Sequence, residues 1–85
     1  MDNNYFWSYS FDMKKGILDN DYYFYDNGKI LHVYDKTVSK LNIEEYVSAL
    51  DIPEDKRQQI IENCPPEFKE RIMEMITIKT NPQNI

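Results

Sequence analysis

The dipeptide Asn27-Gly28 is the sequence feature that most constrains the fold of this 85-residue chain. It separates residues 22–26, YYFYD, from residues 29–35, KILHVYD, and both segments are rich in aromatic and β-branched side chains. A two-residue hairpin loop of type I′ requires positive φ at both central residues, and Asn-Gly meets that requirement well. The sequence therefore predicts a β-hairpin in which the two segments are antiparallel partners.

A two-residue loop also sets the register of the predicted hairpin. Tyr25 then lies opposite Ile30, and the pairing continues one residue at a time along both strands. Because side chains alternate between the two faces of a sheet, this register divides the hairpin into two surfaces. The predicted core face carries Tyr22, Phe24, Leu31 and Val33. The predicted opposite face, which is amphipathic, carries Tyr23, Tyr25, Ile30, His32 and Tyr34.

A further strand is indicated by residues 5–12, YFWSYSFD. Aromatic residues alternate there with Ser and Asp, which is the period-2 pattern of a strand with one buried face. We expect a turn at Gly16, after which Ile17 and Leu18 extend a neighbouring strand. The residues predicted to share the buried face are Tyr5, Trp7, Tyr9 and Phe11.

The pattern changes to helical signals from Asn42 onward. Asn42 and Glu45 have the N-x-x-E spacing of a capping box. Leu41 and Tyr46 occupy the two positions of a hydrophobic staple. The sequence therefore predicts a helix from Asn42 to about Leu50.

Two more helix starts follow. Asp51 and Glu54 repeat the box spacing, and Pro53 suits a first helical turn. The pair Pro65-Pro66 ends that second helix and begins a third. The buried contacts predicted for the second helix are Ile60 and Ile61, and those predicted for the third, at 3.6-residue spacing, are Phe68, Ile72, Met75 and Ile76.

The order of these elements predicts an α+β fold. We expect a small antiparallel β-meander of about three strands, followed by three short α-helices packed on one face. The face that the helices are expected to cover is that of Phe24, Leu31 and Val33. Residues 1–78 are expected to form a single α+β domain, and residues 79–85 a flexible C-terminal tail.

Composition limits where such a chain can work. Cys64 is the only cysteine, so an intramolecular disulfide is excluded. No apolar run reaches the roughly 18 residues needed to cross a bilayer, and the N-terminus lacks the features of a signal peptide. We therefore expect a complete small cytoplasmic protein that does not enter a membrane. The many Asn, Ile, Lys and Tyr residues fit an A/T-rich coding sequence, as in a low-GC bacterium or its phage.

The net charge of −5 is unevenly distributed. Residues 42–85 hold nine Asp or Glu against five Lys or Arg, whereas residues 1–41 hold six Asp against five Lys. An acidic surface repels nucleic-acid phosphates and anionic lipid and attracts basic surfaces. We therefore expect a larger protein partner with a basic surface, and direct nucleic-acid binding is disfavoured.

The residue sets needed for catalysis or metal binding are missing. His32 is the only histidine, and no pattern brings it to Cys64. One Cys and one His cannot build a structural zinc site, and the Asp residues near the hairpin depart from EF-hand spacing. The two glycines do not form a phosphate-binding loop. We predict that the protein is not an enzyme and has no cofactor and no bound metal.

The remaining hypothesis is a non-catalytic protein-interaction module, a small acidic inhibitor or regulator that docks on a larger protein. Tyrosine is enriched at interface hot spots, and acidic helices suit a partner surface made for nucleic acid. One alternative is binding of single-stranded nucleic acid or a small ligand on the aromatic face, near Lys29, Lys36 and Lys40. A second alternative is a homodimer formed through that face. A third is that the aromatic rings only fill the core and bind nothing. The candidate interaction residues are Tyr23, Tyr25, His32, Tyr34, Glu44, Glu45, Glu54 and Asp55.

Overall fold

The structure, a computed structural model, describes residues 4–11, 20–36 and 39–77. Over these residues, the first part of the chain forms one antiparallel sheet whose strands follow chain order. The four strands are β1 (Tyr5–Ser10), β2 (Asn20–Tyr25), β3 (Ile30–Tyr34) and β4 (Ile43–Val47). The predicted turn at Gly16 and the strand extension by Ile17 and Leu18 lie outside the described residues.

A short 3₁₀ turn and two α-helices follow the sheet. The 3₁₀ turn spans Ala49–Asp51, α1 spans Glu54–Asn63, and α2 spans Pro66–Ile76. Proline precedes each helix, and a further proline opens α2, where its missing N–H leaves no helical hydrogen bond unmade. The two helices confirm the second and third predicted helices.

Isoleucine side chains are the fully buried residues of the helical part. Ile72 and Ile76, four residues apart on α2, are both fully buried, which confirms the predicted apolar stripe at these positions. Ile60 is the fully buried residue of α1. The guanidinium Nη1 of Arg57 donates to the carbonyl oxygens of Ala49 and Ile52, and this ties α1 to the 3₁₀ turn.

The described residues divide into two units between Ser48 and Ala49, the first with the sheet and the second with the helices. The α+β prediction is confirmed, with four strands and two α-helices in the described residues instead of about three strands and three helices. A single domain over residues 1–78 and the packing of the helices on one sheet face stay predictions. The predicted tail at residues 79–85 lies outside the described residues.

The hairpin between β2 and β3 has a three-residue loop, so the predicted two-residue loop is wrong. The Gly28 amide donates to the Tyr25 carbonyl oxygen, and the Tyr25 amide donates to the Lys29 carbonyl oxygen, each at 3.0 Å. Within the loop, only Gly28 has positive φ, 88°. This is the pattern of a type I turn followed by a left-handed residue. The Asn27 side-chain oxygen accepts a hydrogen bond from the Lys29 amide at 2.9 Å, which stabilises the longer loop.

The longer loop shifts the register by one residue. Tyr23 lies opposite Leu31, and Tyr22 lies opposite His32. Because a one-residue shift moves every side chain of a strand to the other face relative to its partner, the predicted division of faces is wrong. Tyr22 and Phe24 share one face with Ile30, His32 and Tyr34, whereas Tyr23 and Tyr25 share the other with Leu31 and Val33.

A bulge in β1 separates Tyr5 from the aromatic residues that follow it. Tyr5 lies opposite Tyr25, whereas Trp7 lies opposite Phe24, and the register shifts between them. Since a bulge adds one residue to a strand, the alternation of faces restarts after it. The predicted common face is therefore wrong for Tyr5 and is observed for Trp7, Tyr9 and Phe11, whose rings are in contact.

The predicted helix at Asn42 is also wrong, because β4 occupies that segment and pairs with β3 along its length. Asn42 has a φ of 57°, and its amide donates to Asp35 Oδ1 at 2.8 Å, so it forms a left-handed corner and not a helix cap. The capping-box spacing of Asn42 and Glu45 reports only on residues that are close in sequence. The β-branched and aromatic residues of β4 instead form a strand, because the edge of β3 supplies backbone partners.

The three-residue loop predicts that Asn27→Gly destabilises the protein. Glycine removes the hydrogen bond to the Lys29 amide and adds freedom to the unfolded chain, which together cost about 1 kcal/mol. A type I′ turn would tolerate or favour glycine at this position. Urea unfolding followed by intrinsic fluorescence measures the difference.

Gly28→Ala is the companion change. No atom lies within 4 Å of the added Cβ, so the left-handed φ alone is responsible for an expected loss of about 1–2 kcal/mol. Wild-type stability of Asn27→Gly would contradict the three-residue loop, and wild-type stability of Gly28→Ala would contradict the left-handed conformation of Gly28.

Asn42→Thr tests the corner before β4. Threonine is nearly as good a helix cap as asparagine, but a β-branched residue is strained at a φ of 57°. We expect the free energy of unfolding to fall by about 1–2 kcal/mol in this variant and to change little in Asn42→Gly. A threonine variant as stable as the wild type would indicate a cap instead of a corner.

Candidate functional site

Tyrosine side chains form a row across one face of the sheet. We define the tyrosine face as Tyr5 of β1, Tyr23 and Tyr25 of β2, and Tyr46 of β4, which the strand registers place together. The Tyr5 ring meets the Tyr23 ring edge-to-face, with centroids 4.8 Å apart, and lies 6.3 Å from the Tyr25 ring. The Tyr25 and Tyr46 rings are 6.5 Å apart. Contacts of this kind add about 0.5–1.5 kcal/mol each.

The tyrosine face is packed at its centre and open at its ends. Tyr25 is only 3% exposed and belongs to a core cluster with two aliphatic residues of β3, and Tyr23 packs against that cluster. Tyr5 is 38% exposed and Tyr46 is 59% exposed. Packing at the centre restricts the conformations of the central tyrosine rings. The two ends of the row present aromatic surface to solvent.

A lysine and a glutamate share the tyrosine face with the exposed ring of Tyr46. The Lys29 ammonium lies 5.3 Å from the ring centroid, a cation–π contact that contributes about 0.5–1 kcal/mol at exposed sites. Glu44 is exposed and points to the same face as Tyr46, since the two residues are two positions apart on β4. This end of the row therefore combines an aromatic ring, a cation and a carboxylate.

The opposite face of the sheet carries a second set of rings. The Trp7 and Phe24 rings are stacked with centroids 5.6 Å apart. His32 lies between the rings of Tyr22 and Tyr34, at 4.3 and 4.4 Å. We define the stacked face as Trp7, Tyr9, Phe11, Tyr22, Phe24, His32 and Tyr34.

Polar tips on the stacked face are engaged by neighbouring side chains. His32 Nε2 and Asn20 Oδ1 form a hydrogen bond of 2.5 Å. The Tyr34 hydroxyl donates to Glu45 Oε2 at 2.9 Å, and this bond, with burial and the Glu45 charge, raises the pKa of Tyr34. Burial raises the pKa of Tyr22 as well. Both phenols therefore keep their protons to a higher pH than an ordinary tyrosine does.

The four aromatic candidates from the sequence do not share a face. Tyr23 and Tyr25 lie on the tyrosine face, where Tyr25 is buried and Tyr23 half-buried. His32 and Tyr34 lie half-buried on the stacked face. Their predicted grouping on one surface is wrong, because the loop is one residue longer than predicted.

The four acidic candidates are all exposed but are placed differently. Glu44 and Glu45 lie on opposite faces of β4, and only Glu44 shares the tyrosine face. Glu54 and Asp55 lie in the first turn of α1, where carboxylates complement the helix dipole. Their role in an interaction stays a prediction.

Sequence reasoning missed Tyr5 and Tyr46, the two exposed ends of the row. The alternation in residues 5–12 predicts Tyr5 on the buried face of the strand, and only the bulge in β1 moves it to the tyrosine face. The capping signal at Asn42 predicts Tyr46 on a helix. The alternation of apolar and charged residues in Ile43–Val47 is the signal that could have placed Tyr46 on a strand.

Other candidate chemistry is sparse in the described part of the chain. No three His, Cys, Asp or Glu side chains there are grouped so that they could hold a metal ion. Cys64 is buried, and its thiol donates to the Ile61 carbonyl oxygen at 3.5 Å. None of the helices in residues 4–11, 20–36 and 39–77 is long and apolar enough to cross a membrane.

The contact between Tyr34 and Glu45 predicts a loss of stability at alkaline pH. An unfolded tyrosine ionises near 10.0, and the pKa of Tyr34 in the folded protein is higher, so the folded state holds the proton more tightly. This stabilisation is fully present below the unfolded pKa and is lost as pH rises through the folded pKa. An NMR titration of protein with ¹³Cζ-labelled tyrosine measures that pKa directly.

Glu45→Gln is the control for this titration. Removal of the carboxylate should lower the pKa of Tyr34 toward its ordinary value and leave the pKa of Tyr22 raised, because burial causes the Tyr22 shift. An unchanged pKa of Tyr34 in this variant would contradict the assigned cause.

Comparisons with protein-family models, with curated proteins and with solved structures found no match for this chain. No relative therefore supplies an activity or a residue role.

Proposed function

We propose that this chain is a non-catalytic protein-binding module that docks on a larger protein with its tyrosine face. The observation that carries the proposal is the exposure of Tyr46 (59%) and Tyr5 (38%) at the ends of a row whose centre is packed. Tyrosine buries a large area with few rotatable bonds, which is why it recurs at interface hot spots. Neighbouring contacts hold the rings before binding, so less side-chain entropy is lost on association.

The charge of the chain favours a partner with a basic contact surface. The net charge is −5, and the exposed Glu44 lies on the tyrosine face beside Tyr46. Opposite charge speeds encounter and orients the two proteins. In this proposal the chain acts in the cytoplasm as a small inhibitor or regulator that covers a basic surface, such as one that otherwise holds nucleic acid.

The contact between Lys29 and Tyr46 favours a second candidate, the binding of single-stranded nucleic acid. A base can stack on the Tyr46 ring while the Lys29 ammonium meets a phosphate. The exposed carboxylates of Asp26 and Glu44 oppose this candidate, because they repel phosphates. Protein binding is therefore the better supported function.

Affinity capture from a lysate of the source organism, with mass spectrometry, identifies the partner, and its affinity is then measured with purified proteins. We expect Tyr46→Ala to weaken binding by about tenfold or more, as truncation of a hot spot does. Leu50→Ala is the matched control, since it removes an apolar side chain that is 76% exposed and is not one of the four residues that define the tyrosine face. It should leave the affinity unchanged.

Several outcomes would contradict the proposal. Equal affinities for wild type and Tyr46→Ala, or capture of no partner that depends on Tyr46, would remove the tyrosine face as a docking surface. Fluorescence quenching by single-stranded oligonucleotides that Tyr46→Ala abolishes would favour the second candidate. A dimer in sedimentation that the same variant dissociates would assign the tyrosine face to a second copy of the chain.

A further inference from the structure

We propose that the outer edge of β4 receives an extended, basic segment of the partner as an additional strand. This inference rests on the proposed protein-binding function and adds the chemistry of the partner. β4 is last in the strand order, so within the described residues no strand pairs with its outer side. Three of its residues, Glu44, Glu45 and Tyr46, are exposed.

The edge lacks several features that usually block strand addition. β4 contains no Pro, Gly or Lys, and its pairing with β3 runs without a bulge. Sheet edges are commonly protected by such residues and irregularities. The two charged residues of β4 are both glutamates. The edge therefore favours an added strand that brings positive charge.

The glutamates also disfavour a second copy of the same strand. Antiparallel pairing of two β4 strands centred on Glu44 or on Glu45 would place a carboxylate directly opposite its own counterpart, and like charges in that position are destabilising. A Lys or Arg opposite either glutamate gains the corresponding attraction. In these two registers the charge pattern favours a basic segment over a copy of this chain.

Tyr46 supplies a second contact for a positive charge. The Lys29 ammonium already lies 5.3 Å from the centroid of this ring, so the ring accepts a cation from its own chain. Glu44 and Tyr46 point to the same face of β4. An arginine of the added strand can therefore pair with the Glu44 carboxylate and stack against the exposed Tyr46 ring.

These contacts define the segment that the edge would bind. Main-chain hydrogen bonds to β4 provide affinity, and side chains at alternate positions provide specificity. The segment is extended, spans about five or six residues, and carries Arg or Lys at alternate positions with β-branched residues between them.

Synthetic peptides test the inference. A fluorescent peptide of about eight residues that alternates arginine and valine should bind in anisotropy titrations, and hydrogen exchange of the amides in Ile43–Val47 should slow. Glutamate in place of arginine should abolish binding. A peptide with N-methyl groups on alternate backbone amides keeps the charge but cannot extend the sheet. We expect its affinity to be lower than that of the parent peptide by a factor of about ten or more.

Protein variants identify the contacts. Glu44→Gln should weaken binding of the arginine peptide about two- to fivefold, the usual range for an exposed ion pair. Glu70→Gln, which removes an exposed glutamate of α2, is the matched control and should have no effect. Lys29→Met should strengthen binding, because it removes a cation that competes for the Tyr46 ring.

Three results would overturn strand addition: N-methylated peptides that bind as tightly as their parent, exchange protection confined to residues outside β4, or no binding by any peptide at millimolar concentration. Should every peptide fail while the purified partner still depends on Tyr46, the strand inference falls and the proposed function stands. If the peptide binds at β4 but the partner binds wild type and Tyr46→Ala with equal affinity, the proposed function is contradicted.

Discussion

The three-residue loop between β2 and β3 determines how the aromatic rings of the sheet are used. Gly28 adopts a φ of 88°, and the third loop residue moves the register by one position. Since side chains alternate along each strand, that single shift places Tyr23 beside Leu31 instead of His32. The packed centre of the tyrosine face exists only in this register, and the exposed rings at its ends depend on that centre for their support.

The two faces of the sheet carry similar rings in different settings. On the stacked face, the polar tips of His32 and Tyr34 are engaged by Asn20 and Glu45. On the tyrosine face, Tyr25 is buried while Tyr46 remains largely exposed. A chain of this length can bury only a small core, and large aromatic side chains bury much area per residue. Tyrosine is therefore a core residue in one part of the sheet and an exposed aromatic residue in another.

Elements with strong local signals were predictable from the sequence. Prolines mark the starts of α1 and α2, and the spacing of Ile72 and Ile76 indicates the buried side of α2. The two wrong predictions have different physical causes. The capping spacing at Asn42 is a valid helix signal, but pairing with β3 outweighs it. Loops of two and three residues both place glycine in a left-handed conformation, so the pair Asn27-Gly28 cannot by itself distinguish them.

Only two of the four residues of the tyrosine face are predictable from the sequence. Tyr23 and Tyr25 follow from the hairpin, whereas Tyr5 reaches the tyrosine face through a bulge that no residue pattern signals. Tyr46 reaches it through β4.

Cross-strand nuclear Overhauser effects between β2 and β3 are the most direct test of the three-residue loop. This loop predicts backbone contacts that pair Tyr23 with Leu31 and Tyr22 with His32, together with ring contacts between Tyr25 and Tyr46. Contacts that pair Tyr23 with His32 and Tyr25 with Ile30 would show a two-residue loop. That result would separate Tyr23 and Tyr25 from Leu31 and Val33 and so contradict the packed tyrosine face.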